Sequence, residues 1–156
     1  MMSIAAKVTV VALVQLALVG VAVAPRLSAR LTGDEYLLRV APLDPIDPFR
    51  GAYVDLDYPD LDLDRETRGD EGTVYVTLEQ DGDVWVASAY TRERPSGTPY
   101  LACDGRDWRL RCGIESLFLP QDEAASMQGD LGDGAMVAVV KVDGRGNAAL
   151  IRLESA

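Results

Sequence analysis

Arg50-Gly51-Ala52-Tyr53-Val54-Asp55-Leu56-Asp57-Tyr58 gathers a guanidinium, two phenols and two carboxylates into nine residues. An arginine there can stack on a tyrosine ring or hold a carboxylate in a bidentate pair. A carboxylate couple such as Asp55 with Glu115 could work as acid and base on a glycosidic bond. Nothing in the sequence selects that couple over the other acids. What is missing decides more. The 156 residues contain no histidine, so a Ser-His-Asp or Cys-His site is impossible. Lys141 is the only lysine beyond the N-terminal segment, which leaves a Ser-Lys dyad a single candidate base. There is no glycine-rich phosphate loop and no cluster of metal ligands, and no cofactor is implied.

Asp60-Leu61-Asp62-Leu63-Asp64, followed by Glu71, spaces its acids as a calcium loop does, at positions 1, 3, 5 and 12. The sixth position is Arg65, where the sharp turn needs glycine, and no helices flank the run. A solvated acidic loop is the better reading. Cys103 and Cys112 bracket Asp104-Gly105-Arg106-Asp107-Trp108, a turn-rich stretch that could close a hairpin. A disulfide across it would place the domain in an oxidising compartment. Two unpaired buried cysteines are the alternative, and without histidine the pair makes only half a zinc site.

The elements that must position these residues read as strands. Thr73–Leu78 and Val84–Tyr90 are rich in β-branched and aromatic residues around Gln80-Asp81-Gly82-Asp83, a hairpin signal. Ala135–Val142 and Ala148–Leu153 repeat the pattern around Asp143-Gly144-Arg145-Gly146-Asn147. Tyr36–Val40 leads into a run containing Pro42, Pro45 and Pro48, whose fixed φ and missing donors make it an extended connector. Only Gln121–Gln128 looks helical. Short strands separated by Gly/Asp turns imply an all-β fold, a small sandwich or partly open barrel with one short helix. Within the motif, a regular strand would put Leu56 and Tyr58 on one face and Tyr53 on the other. A bulge near Val54 or Asp55 would bring all three together.

From Val8 to Ala24 the chain is almost wholly apolar, and these 17 residues span about 25 Å as a helix. An uncleaved membrane anchor is the favoured reading, giving residues 1–28 as a signal-anchor and 33–156 as a single domain. Ala22-Val23-Ala24 would suit cleavage of a signal peptide, but Pro25 follows it unfavourably. No cysteine lies near the segment end, which excludes a lipoprotein anchor. Lys7 on one side and Arg26 and Arg30 on the other nearly balance the charge rule for orientation. The cysteines break that tie toward an extracytoplasmic domain. All 25 acidic residues lie at or beyond Asp34, against 12 of the 15 basic ones, so the domain carries a net −13. Such a field argues against nucleic acid or anionic headgroups as partners.

The motif resembles the pattern that names the GDYXXLXY family of bacterial membrane-anchored proteins. Gly51, Tyr53, Leu56 and Tyr58 match it, while Ala52 stands where the family has aspartate. Pro42, Asp44, Pro45, Phe49 and Arg50 extend the likeness upstream, and Gly113-Ile114-Glu115-Ser116-Leu117-Phe118-Leu119-Pro120 resembles a second family block. Gln121 replaces a usual glutamate. The resemblance implies membrane attachment and association with multi-pass membrane proteins, and it carries no catalytic residues. The phrase Arg-Gly-x-Tyr-Val also resembles the barrel strands of signal peptidases, but no Ser-Met-x-Pro nucleophile follows the anchor. The reading is therefore a non-catalytic binding or accessory module for a membrane or envelope component. Arg50, Gly51, Tyr53, Leu56, Tyr58 and Glu115 are the candidate site, with Arg50 paired to Glu115 across the two blocks. A carboxylate hydrolase acting on an envelope polymer is the alternative.

Overall fold

The computed structural model describes residues 3–42, 53–61, 72–106, 110–118 and 136–155. Arg50 and Gly51, the acidic run after Leu61 and the helix expected at Gln121–Gln128 lie outside them.

The chain begins with helix α1, Ile4–Thr32, whose N-cap Ser3 accepts a hydrogen bond from the Ala6 N–H at 3.2 Å. No described residue buries its first two thirds. Every large exposed hydrophobic residue among those described, from Ile4 to Leu31, lies on this helix. It is long and apolar enough to cross a membrane. The helix continues through Pro25, and from Ser28 onward it packs on the domain. Ala29 is fully buried, and Arg30 donates to the Leu150 carbonyl at 3.4 Å. Gly33 ends the helix, its N–H donating to the Ala29 carbonyl at 2.9 Å. A Cβ on Gly33 would lie 2.4 Å from that oxygen and 2.9 Å from the Val142 backbone, so only glycine lets helix and sheet approach so closely.

Among the described residues nine strands follow: β1 (Asp34–Arg39), β2 (Ala41–Pro42), β3 (Tyr53–Asp57), β4 (Thr73–Asp81), β5 (Val84–Thr91), β6 (Tyr100–Asp104), β7 (Ser116–Phe118), β8 (Met136–Val142) and β9 (Ala148–Ser155). All pair antiparallel, in three sheets ordered β1-β8-β9, β2-β3-β7 and β5-β4-β6. Among the described residues no closed barrel forms, and the all-β expectation holds. Both expected hairpins are present. The first turns at Gly82, with φ +65°, and its last pair is Asp81 with Val84. The second pairs Val142 with Ala148.

Strand periodicity accounts for the core. Along β4, Val74, Val76 and Leu78 point inward and the intervening residues do not, as a period of two requires. Strand β8, central in its sheet, is buried along nearly its whole length, which suits its run of Val and Ala. Leu38, Leu56, Leu101, Ile114 and Val140 are all at or below 1% exposed and join one cluster drawn from all three sheets. Each such side chain contributes about 1.5–3 kcal/mol of burial. The second hairpin also ties sheets together, because Ala102 of β6 donates to the Gly146 carbonyl at 2.8 Å.

Candidate functional site

The two motif blocks meet as paired backbone. Tyr53, Val54 and Asp55 of β3 face Phe118, Leu117 and Ser116 of β7, and the Leu56 N–H donates to the Glu115 carbonyl at 2.8 Å. The register has no shift over this stretch, so the bulge entertained near Val54 or Asp55 does not occur in this pairing. Leu56 and Tyr58 are both buried, on one side as the alternation requires.

Tyr58 is the hinge pin of the pairing. Its hydroxyl donates to the Ile114 carbonyl at 2.8 Å, reaching across 56 residues of sequence into the second block. Burial pushes its phenol far above the ordinary value, with the nearby Glu115 charge adding to the effect. The neutral hydroxyl is the form that donates to the Ile114 carbonyl. Glu115 is engaged in the same turn. Its carboxylate accepts the Cys112 N–H and holds the Gly113 N–H at 2.9 and 3.1 Å. Gly113 takes φ +84°, which a side chain would resist, so the glycine lets the chain fold back over Glu115. Both residues act as structural polar groups satisfying buried backbone. The expected partner of Glu115, Arg50, lies outside the described residues.

The turn is fixed from behind. Cys103 and Cys112 form a disulfide with Cα atoms 4.1 Å apart, and Asp104 and Arg111 exchange backbone hydrogen bonds of 2.8 and 3.0 Å beside it. Cys103 is buried on β6, so the bond ties the second motif block to the third sheet. On the loop, the Arg106 guanidinium grips Asp104 at 2.9 and 3.0 Å and holds its carboxyl down to about 2.

Sequence reasoning missed a second polar centre. Asp143 is 6% exposed and sits at the end of β8, where helix α1 lands. One carboxylate oxygen accepts the Arg145 and Asn147 N–H groups at 2.9 and 3.0 Å. The other accepts the Ser28 hydroxyl at 2.6 Å and the Asn147 side-chain amide at 2.9 Å. Burial alone would raise its pKa, but the hydrogen bonds from Asn147, Ser28 and Arg145 outweigh it, and the net shift is downward. The signal was present in the Asp-Gly-Arg-Gly-Asn turn, since aspartate caps its own turn. That the same carboxylate also holds a helix 115 residues away could not be read from spacing.

Two clefts flank the foot of the helix. One, of about 860 Å³, lies between Pro25 and Arg26 on the helix and the disulfide loop with Asp104, Arg106 and Arg111. The other, of about 450 Å³, lies on the far side of Arg26 and includes Arg30, Glu115 and Leu117. Among the described residues no three His, Cys, Asp or Glu side chains converge as a metal site needs. A family model described as GDYXXLXY protein matches residues 15–153, most of the chain. No curated protein and no solved structure matches it.

Proposed function

The chain belongs to the GDYXXLXY family, and from that premise we propose a single-pass membrane protein whose extracytoplasmic β domain is a non-catalytic docking module. The observation that carries this reading is the joint between helix and domain. Ser28, Ala29 and Arg30 are held on Asp143 and β9, while the large apolar side chains from Ile4 to Val23 are exposed. A helix that must lie in lipid is thus built into the domain without a flexible linker, and it holds the β-sheets at a set stance over the bilayer. The disulfide supports an oxidising, extracytoplasmic side.

The partner we propose is another membrane or envelope component, a multi-pass protein above all, bound along the motif strand. Tyr58 and Glu115 serve the fold, so the proposal assigns partner contact to the other tyrosine of the motif, Tyr53. A carboxylate hydrolase is the weaker reading, because Glu115 already spends its carboxylate on two backbone N–H groups. Co-purification of the tagged protein from its native membranes in mild detergent tests the proposal. One stoichiometric membrane protein, retained by the parent and lost from a folded Tyr53→Ala variant, is the expected result. No such partner, together with hydrolysis of an envelope polymer that Glu115→Gln abolishes, would reverse it.

A further inference from the structure

The larger cleft lies where a retained membrane helix would leave the hydrocarbon. Arg26 is two residues beyond Ala24, the last of the apolar run, and so about 3 Å further along the helix axis. That is the depth of the lipid headgroups. The cleft, at about 860 Å³, is large enough for a headgroup and its glycerol. Its chemistry is cationic despite the acidic domain around it. Among the described residues, three guanidiniums, Arg26, Arg106 and Arg111, line it with one carboxylate, Asp104. Arg106 binds that carboxylate directly, and Arg111 also lies in its field. Arg26 is exposed and makes no hydrogen bond or ion pair among the described residues, although a carboxylate-rich protein surrounds it. Pro25, Ala102, Ala148 and the disulfide supply an apolar wall.

We propose that this cleft seats the phosphodiester of a membrane phospholipid headgroup, with Arg26 as its main ligand. A guanidinium offers paired N–H donors that match two phosphate oxygens. The domain's net charge of −13 opposes anionic surfaces at long range, but its field is screened within about 8 Å at physiological salt. At the cleft the exposed Arg26 guanidinium supplies the cation. This inference rests on the reading of α1 as an uncleaved anchor.

Native mass spectrometry of the full-length protein, purified from its membranes and stripped in mild detergent, tests both. The probes are phosphatidylglycerol, diacylglycerol and inorganic phosphate. Phosphatidylglycerol should be retained, diacylglycerol should not, and Arg26→Gln should weaken retention roughly tenfold, as loss of one charge-assisted contact does. Arg26→Lys should recover part of it, and Arg106→Gln should give a smaller loss. Equal retention by Arg26→Gln, or equal binding of diacylglycerol, would overturn the headgroup seat. Displacement by millimolar inorganic phosphate would overturn the lipid as source and assign the seat to soluble phosphate. The same spectra give the chain mass. A protein lacking residues 1–24 would overturn the anchor reading itself, whereas an intact mass without selective retention would overturn the seat alone.

Discussion

At the motif, one neutral hydroxyl bridges the two blocks, and a carboxylate folds the adjoining turn around itself. At the foot of the helix, one carboxylate takes four donors from the β8–β9 turn and from Ser28. Both joints satisfy buried polar groups, but they differ in what depends on them. The motif joint holds strand to turn and is backed by Leu56, Ile114 and the disulfide, so apolar packing shares its burden. The helix joint holds two structural units, and among the described residues Ala29 is the one buried helix side chain there. Polar satisfaction should therefore matter more at the helix than at the motif that names the family.

That comparison breaks first at Asp143. Asp143→Ala strands the Ser28 hydroxyl and the turn donors, and should cost about 3 kcal/mol in denaturant unfolding, with the foot of the helix losing amide protection. A loss no greater than that of a surface substitution would remove the contrast. Next comes the disulfide. Cys103 and Cys112 are nine residues apart, and replacing both with serine should cost about 2.5 kcal/mol in thermal or urea unfolding. Smaller still is Tyr58→Phe, which leaves the Ile114 carbonyl without its donor and should cost about 1 kcal/mol. A cost equal to that of Asp143→Ala would make the motif the critical joint. Finally, the two joints should respond oppositely to pH. The Asp143 pKa is lowered in the fold, so its contribution is complete above the unfolded carboxyl value and fades as pH falls below about 4. Tyr58 is raised, so its penalty appears only as pH climbs above about 10. Thermal melts of the parent and Asp143→Asn should converge on the acid side and stay parallel on the alkaline side.

Much of the fold was legible because strand signals are local. The Asp81-Gly82 and Asp143–Asn147 turns sit between β-branched runs, and each folds into the hairpin its residues imply. The partition into three sheets was not legible, since pairings such as β1 with β8 join residues about a hundred positions apart. At the candidate site, the sequence brought the right blocks together. The Arg50–Glu115 contact expected from shared block membership lies outside the described residues, and the described link runs from Tyr58 to a backbone carbonyl that no residue type announces. Arg26 shows in the sequence only as a charge flanking the apolar run, because the residues that face it across the cleft, Cys103 to Gly113, lie about eighty positions further on. Ser28 gave no signal at all. A serine near a helix end is ordinary, and only the arrival of Asp143 from the far end of the chain gives it a role.

The central claim is that the two motif blocks form one structural unit through Tyr58 and the Glu115 turn. A double-mutant cycle on the full-length protein, with Tyr58→Phe, Glu115→Gln and the pair together, measures this most directly by urea unfolding. The expected result is a departure from additivity of about 1 kcal/mol. Losses that sum to within about 0.3 kcal/mol would contradict it, leaving the blocks as neighbours that stabilise the domain independently.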